Sequence, residues 1–153
     1  MLRDDINTAL KEAMKAGDKR RISTLRLINA AIKNADIEAR GQAKEALDEQ
    51  ALLGLLQKMI KQRHESAELY EKGGRAELAA QEQEEIEIIS GYLPKQMTDI
   101  EAGSVIQALV HEINAQGLKD MGRTMAALKE RFAGKMDFTK ASAKVKEMLS
   151  SRS

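Results

Sequence analysis

Cysteine and tryptophan are absent from the 153 residues, and proline occurs once, at Pro94. Without cysteine there is no disulfide, no thiol nucleophile and no Cys-ligated zinc. Its absence fits a reducing compartment. Aromatic residues make up 3% of the chain. Any core must therefore be built from Leu, Ile, Met and Ala, the usual filling between packed helices. No apolar run approaches the roughly 20 residues of a membrane span. Met1 opens directly onto Leu2-Arg3-Asp4-Asp5, with no apolar signal core. These absences lead to the expectation of a soluble cytoplasmic protein with no membrane partner.

What remains is rich in the helix formers Ala, Leu, Glu, Lys, Gln, Arg and Met. Charged residues reach 32%, yet the net charge is only +1. That near-balance hides blocks of one sign. Residues 1–44 carry 10 Lys/Arg against 6 Asp/Glu, residues 45–112 carry 6 against 14, and residues 113–153 carry 9 against 4. Basic helices lying against acidic ones would explain the blocks, and so would basic ends that meet a polyanion.

The apolar spacing is helical throughout. Ile6, Leu10, Ala13 and Met14 make one stripe, closed by Gly17, after which Asp18 is placed to cap the next helix. That helix carries Ile22, Leu25, Ile28, Ile32 and Ala35 and runs to about Arg40. Asp48 is a candidate cap for a third, longer helix, unless the helix starts earlier; it continues to Lys72 and breaks at Gly73-Gly74. A fourth spans Arg75 to Gly91. In Gly91-Tyr92-Leu93-Pro94, proline pushes Leu93 out of helical geometry and divides the chain. Thr98-Asp99-Ile100-Glu101 then has the spacing of a capping box. It opens a helix that ends before Gly117. Asp120 is read as the cap of a helix carrying Met121, Met125, Leu128 and Phe132, ending at Gly134. A last helix follows Asp137 and buries Ala141, Val145 and Leu149, and Ser150 to Ser153 are expected to fray. No stretch alternates with period two. The expected fold is all-α, with an N-terminal four-helix domain over 1–93 and a small three-helix lobe over 94–153.

The chemistry-bearing residues do not assemble into a motif. His64 and His111 lack any metal-ligand spacing and read as surface residues. Glu84, Glu85 and Glu87 lack a supporting histidine or Asp-rich loop and read as a solvated helix face. Ser23 has no activating partner, and no phosphate-binding glycine loop occurs. The sequence therefore implies no cofactor, no metal and no catalysis of its own. Basic residues remain. Lys19, Arg26 and Lys33 repeat every seven residues, and further cations fill the last two helices and their joins. Few aromatics means little base stacking, so an RNA contact would read backbone and shape.

Several segments taken in order resemble one family. They are Ser23-Thr24-Leu25-Arg26-Leu27, Lys58-Met59-Ile60-Lys61-Gln62-Arg63, Tyr70-Glu71-Lys72-Gly73-Gly74-Arg75, Tyr92-Leu93-Pro94, Met121-Gly122-Arg123-Thr124-Met125 and Phe132-Ala133-Gly134-Lys135. Their order resembles the YqeY-like (GatB/YqeY-type) proteins, free-standing relatives of the tail domain of the B subunit of the glutamine-dependent aspartyl/glutamyl-tRNA amidotransferase. The resemblance implies an all-helical, two-part fold and a link to tRNA. Any carbon–nitrogen ligase label is inherited from the larger enzyme, whose catalytic domains have no counterpart in this sequence. On this basis the expected function is an accessory module that binds tRNA or a tRNA-handling complex. The candidate phosphate contacts are Arg123, Lys129, Lys135, Lys140 and Lys144. Gly122 is expected to permit close helix packing and Met125 to be core. The alternative is a protein-interaction module without RNA contact, its partner a protein of tRNA amidation or translation.

Overall fold

A computed structural model describes residues 1–42 and 46–152. Among them are seven α-helices and no strand: α1 (Leu2–Ala16), α2 (Lys19–Gly41), α3 (Glu49–Lys72), α4 (Ala76–Ser90), α5 (Asp99–Glu112), α6 (Met121–Arg131) and α7 (Phe138–Ser150). A single 3-10 turn, Leu118–Asp120, precedes α6. No helix among the described residues is long and apolar enough to cross a membrane. The chain separates into two compact units, Met1–Pro94 and Lys95–Ser153.

Helix starts follow the sequence signals closely. Asp18 accepts from the Arg21 amide, Asp48 from Ala51, and Asp137 from Thr139 and Lys140. The Thr98 hydroxyl accepts from the Glu101 amide while the Glu101 carboxylate receives the Thr98 amide, completing the capping box. Those amide contacts hold the Glu101 carboxyl below its ordinary acidity range. α1 has no local cap. Its Leu2 amide donates instead to the Glu49 carboxylate at the start of α3, 3.1 Å away. Three helices end with the chain in the left-handed region, at Gly17 (φ 71°), Gly74 (φ 73°) and Asn114 (φ 53°). In each case the next amide reaches back five residues: Asp18 to Ala13, Arg75 to Tyr70 and Ala115 to Val110. Glycine takes this conformation without steric cost, and asparagine is the side chain that tolerates it best.

Two expectations need correction. Asp120 does not cap α6 with its side chain. Its carboxylate takes the Gln116 amide at 2.8 Å and lies 3.2 Å from Arg123, serving the turn before the helix. The tail does not simply fray either. Ser151 and Arg152 bond back onto α7, and Arg152 also donates to the Ala115 carbonyl. Ser153 lies outside the described residues.

The first unit has its own core. Leu2, Ile6 and Ala13 of α1 meet Leu25, Ile28 and Ile32 of α2 and the buried Leu52, Leu56 and Met59 of α3. Tyr92 and Leu93 pack onto it, with the Tyr92 hydroxyl accepting from Arg21. The acidic run on α4 departs from its expected role. Glu85 is buried and faces Arg63 of α3 at 3.0 Å, with side-chain exposures of 8% and 15%. The run has no supporting histidine or Asp-rich loop, which points to a solvated face; a rotation of 100° per residue nevertheless turns Glu85 to the inner side while Glu84 and Glu87 stay exposed. Burial, and then the Glu85 charge, raises the Glu82 carboxyl above its ordinary value. At the other end of the unit, Arg3 grips Asp36 with two 2.8 Å bonds and also reaches the Leu47 carbonyl. Asp36 accepts the Leu47 amide in addition. These donors hold the Asp36 carboxyl at about 2.

The second unit packs Ile106, Leu109 and Val110 of α5 with Leu128 of α6 and Val145 and Leu149 of α7. Buried Thr124 donates to the Asp120 carbonyl, just as buried Thr24 in the first unit donates to Arg20. The residues after Pro94 belong to this unit. The Met97 amide donates to the Lys135 carbonyl at 2.8 Å, and the Gln96 amide group donates to Gly134.

Glu85→Leu strands the Arg63 charge and should cost about 3 kcal/mol of stability in chemical denaturation. The double change Arg63→Met with Glu85→Leu should regain most of it, since apolar packing replaces both ions. Asp36 has a folded acidity below its unfolded one. Its stabilisation is present above an unfolded pKa of about 4 and is lost as pH falls through the folded value. Asp36→Asn should therefore flatten the fall of the melting temperature between those two pH values while leaving the rest of the profile in place.

Candidate functional site

The five candidate cations all lie in the second unit but do not form one cluster. Arg123 and Lys129 are on α6, Lys135 is in the loop that follows, and Lys140 and Lys144 are on α7. Asp137 starts α7 and fixes where its first lysine emerges. Lys140 and Lys144 are exposed, one turn apart, beside a groove of about 350 Å³ between α5 and α7. Asp99, Asp137 and Met136 line the same groove, so its charge is mixed. Lys140 stands 3.9 Å from Asp99, with exposures of 71% and 89%. An ion pair that exposed and that long contributes little. The stem of Lys144 passes over Gly103, its Cε 4.0 Å from where a Cβ would stand.

Arg123 is at the other end of α5. It donates to the Ile113 carbonyl at 2.7 Å and to Asp120 at 3.2 Å. Gly103 and Ile113 are ten residues apart, about 15 Å along the helix axis. Two further arginines join Arg123 there. Arg131 pairs with Glu112 at 2.6 Å, and Arg152 donates to the Ala115 carbonyl at 3.1 Å. Arg123 and Arg152 thus satisfy the Ile113 and Ala115 carbonyls just past α5, and Arg131 pairs with the carboxylate of its last residue, all near the negative end of the α5 dipole. Arg131 holds the Glu112 carboxyl low, while the Gln116 amide and then Arg123 do the same for Asp120. Sequence reading singled out Arg123 and missed this shared task. The available signal was two arginines, Arg123 and Arg131, following a helix end that carries Glu112.

Lys135 is half-buried, and its carbonyl receives the Met97 amide. Met125 is half-buried against the second core. Gly122 is not a close-packing glycine, because a Cβ there would meet nothing within 4 Å. His64 and His111 are exposed on α3 and α5. Among the described residues no three of His, Asp and Glu gather closely enough to hold a metal ion.

A family model described as "Yqey-like protein" matches residues 3–149. In Lachancea thermotolerans, the protein named altered inheritance of mitochondria protein 41, mitochondrial, is 45% identical over 84 residues, covering 55% of this chain and 43% of that protein. The protein of the same name in Eremothecium gossypii is 35% identical over 69% of this chain and 57% of its own length. The one in Pyrenophora tritici-repentis is 31% identical over 94% of this chain and 78% of its own. The match therefore spans about half the length of the first two relatives. Their names overturn the cytoplasmic expectation, since relatives matched over most of this chain are named as mitochondrial proteins. A lack of cysteine and of long apolar runs does not distinguish the cytosol from the mitochondrial interior.

With open space around it and a helical backbone, Gly122→Ala should stabilise the second unit by about 0.5–1 kcal/mol in thermal or chemical denaturation. A close-packing glycine would lose stability in the same measurement.

Proposed function

The chain belongs to the YqeY-like family, and from that membership we propose that it is a non-catalytic helical accessory module whose second unit binds tRNA or a tRNA-handling complex. The observation that carries this reading is the pair Lys140 and Lys144. They are exposed and one turn apart on α7, and Lys140 has only the long, solvent-exposed contact to Asp99. Lysine ammonium groups of this kind meet phosphate oxygens as mobile point charges. Lys135, in the loop preceding α7, is the third phosphate contact in this reading. Arg123 contributes mainly by holding the end of α5, and through its half-exposed guanidinium it gives one further anion contact. The few aromatic side chains favour recognition of backbone and shape over stacked bases.

Binding of purified tRNA to the full chain should weaken steeply as salt rises. Lys135→Ala with Lys140→Ala and Lys144→Ala should lower the slope of log affinity against log salt by roughly 2–3. Arg123→Ala should lower it by less than 1 and also destabilise the second unit. An unchanged slope in the triple variant, measured by filter binding, would remove these lysines from the interface.

A further inference from the structure

The outward face of α2 carries a cation every seven residues: Lys19, Arg26, Lys33 and Arg40, all exposed. At 1.5 Å per residue they stand about 10 Å apart along the axis. Ser23, Ala30 and Ile37 fill the alternate positions and are exposed too. Together the seven positions follow the three-four spacing of a helix seam and occupy a stripe roughly 100° wide. The stripe is opposite the buried side of the helix, where Leu25, Ile28 and Ile32 enter the core.

The exposed face of α3 mixes both signs, with its Glu68–Lys72 pair one turn apart. The α2 stripe contains no carboxylate. The acids of α2 lie off it, and Asp36 is held by Arg3. Among the described residues none of the four cations is in a salt bridge. Among the described residues, Arg26 donates a hydrogen bond to the sulfur of Met14, 3.6 Å away. Apolar surface accompanies the charge: Ile37 is 56% exposed within the stripe, and Leu27 is 45% exposed at its margin. Open grooves flank α2, of about 690 Å³ lined by Ile22 and Leu27 with Arg20 and Glu85, and of about 440 Å³ lined by Ile32 and Ile37 with Asn29 and Asp36.

We propose that this face docks an acidic amphipathic α-helix of a partner protein, with carboxylates repeating every seven residues opposite the four cations. Charge complementarity selects the partner's sign, and the seam spacing selects a helix. The exposed Ile37 within the stripe selects protein over nucleic acid, since a phosphate gains nothing from lying against it. Ser23 and Ala30 let the partner's backbone approach, while its apolar residues enter the flanking grooves. The face belongs to the first unit and stands independently of RNA binding by the second.

The test uses the full chain and a labelled synthetic helix as long as α2, with Glu every seven residues and Ala and Leu at the remaining seam positions. Anisotropy should show binding that weakens with salt, and circular dichroism should show helix gained on binding. A scrambled peptide of the same composition should bind at least tenfold more weakly. Lys19→Glu with Lys33→Glu should reduce binding of the Glu peptide about tenfold, and a peptide with Lys in place of Glu should recover it on that variant. Ala30→Leu should weaken the peptide without changing charge. Equal binding of the scrambled peptide, or no effect of the charge reversals on a folded protein, overturns the proposal. So does a duplex RNA that competes for this face and is insensitive to Ala30→Leu.

Discussion

Helix ends leave four amides and four carbonyls without partners on each helix, and in this chain nearly every residue is content to continue the helix. The structure therefore depends on where helices are made to stop and start. Three of the seven helices are stopped by left-handed residues, and four are started by side-chain caps. Two ends are handled at a distance. The first amide of α1 is capped by Glu49 of α3, and in the turn after α5 the Ile113 and Ala115 carbonyls are met by arginines from α6 and the C-terminal tail. These long-range caps also act as tertiary contacts, because each secures a helix only when another element is already beside it.

Local chemistry was the legible part of the sequence. Asp18, Asp48, Thr98 and Asp137 each sit before an apolar stripe, and a cap acts on amides two or three residues away, so their roles require no knowledge of the fold. Asp120 has the same local appearance yet serves the preceding turn, its backbone (φ −95°, ψ 5°) lacking the extended geometry of the other caps. Glu85 was hidden for a related reason. Its neighbours are exposed, and only the packing of α3 against α4 brings Arg63 to it. Asn114 ends α5 where Gly117 drew attention, since a left-handed asparagine leaves a weaker mark in sequence than a glycine. The candidate cations were easy to name, but sequence could not show that Arg123 and Lys144 serve opposite ends of one helix.

The blocks of charge resolve into different uses. In the first unit, carboxylates Asp36 and Glu85 are held by Arg3 and Arg63, and they tie helices together. At the end of α5, guanidinium groups complete backbone hydrogen bonding. The exposed surface keeps charges of both signs, with the cations of α2 and α7 among them. Arginine, with its fixed fork of donors, tends here to be built into the structure, whereas lysine is left to the solvent.

The residues just after Pro94 illustrate a different property. Gln96 and Met97 are hydrogen-bonded to the loop between α6 and α7, so the second unit closes on its own first residues. A fold that fastens its leading end internally does not need a neighbour to define where it begins. Such a unit is transplantable: appended to the end of an unrelated chain, it brings its own boundary with it.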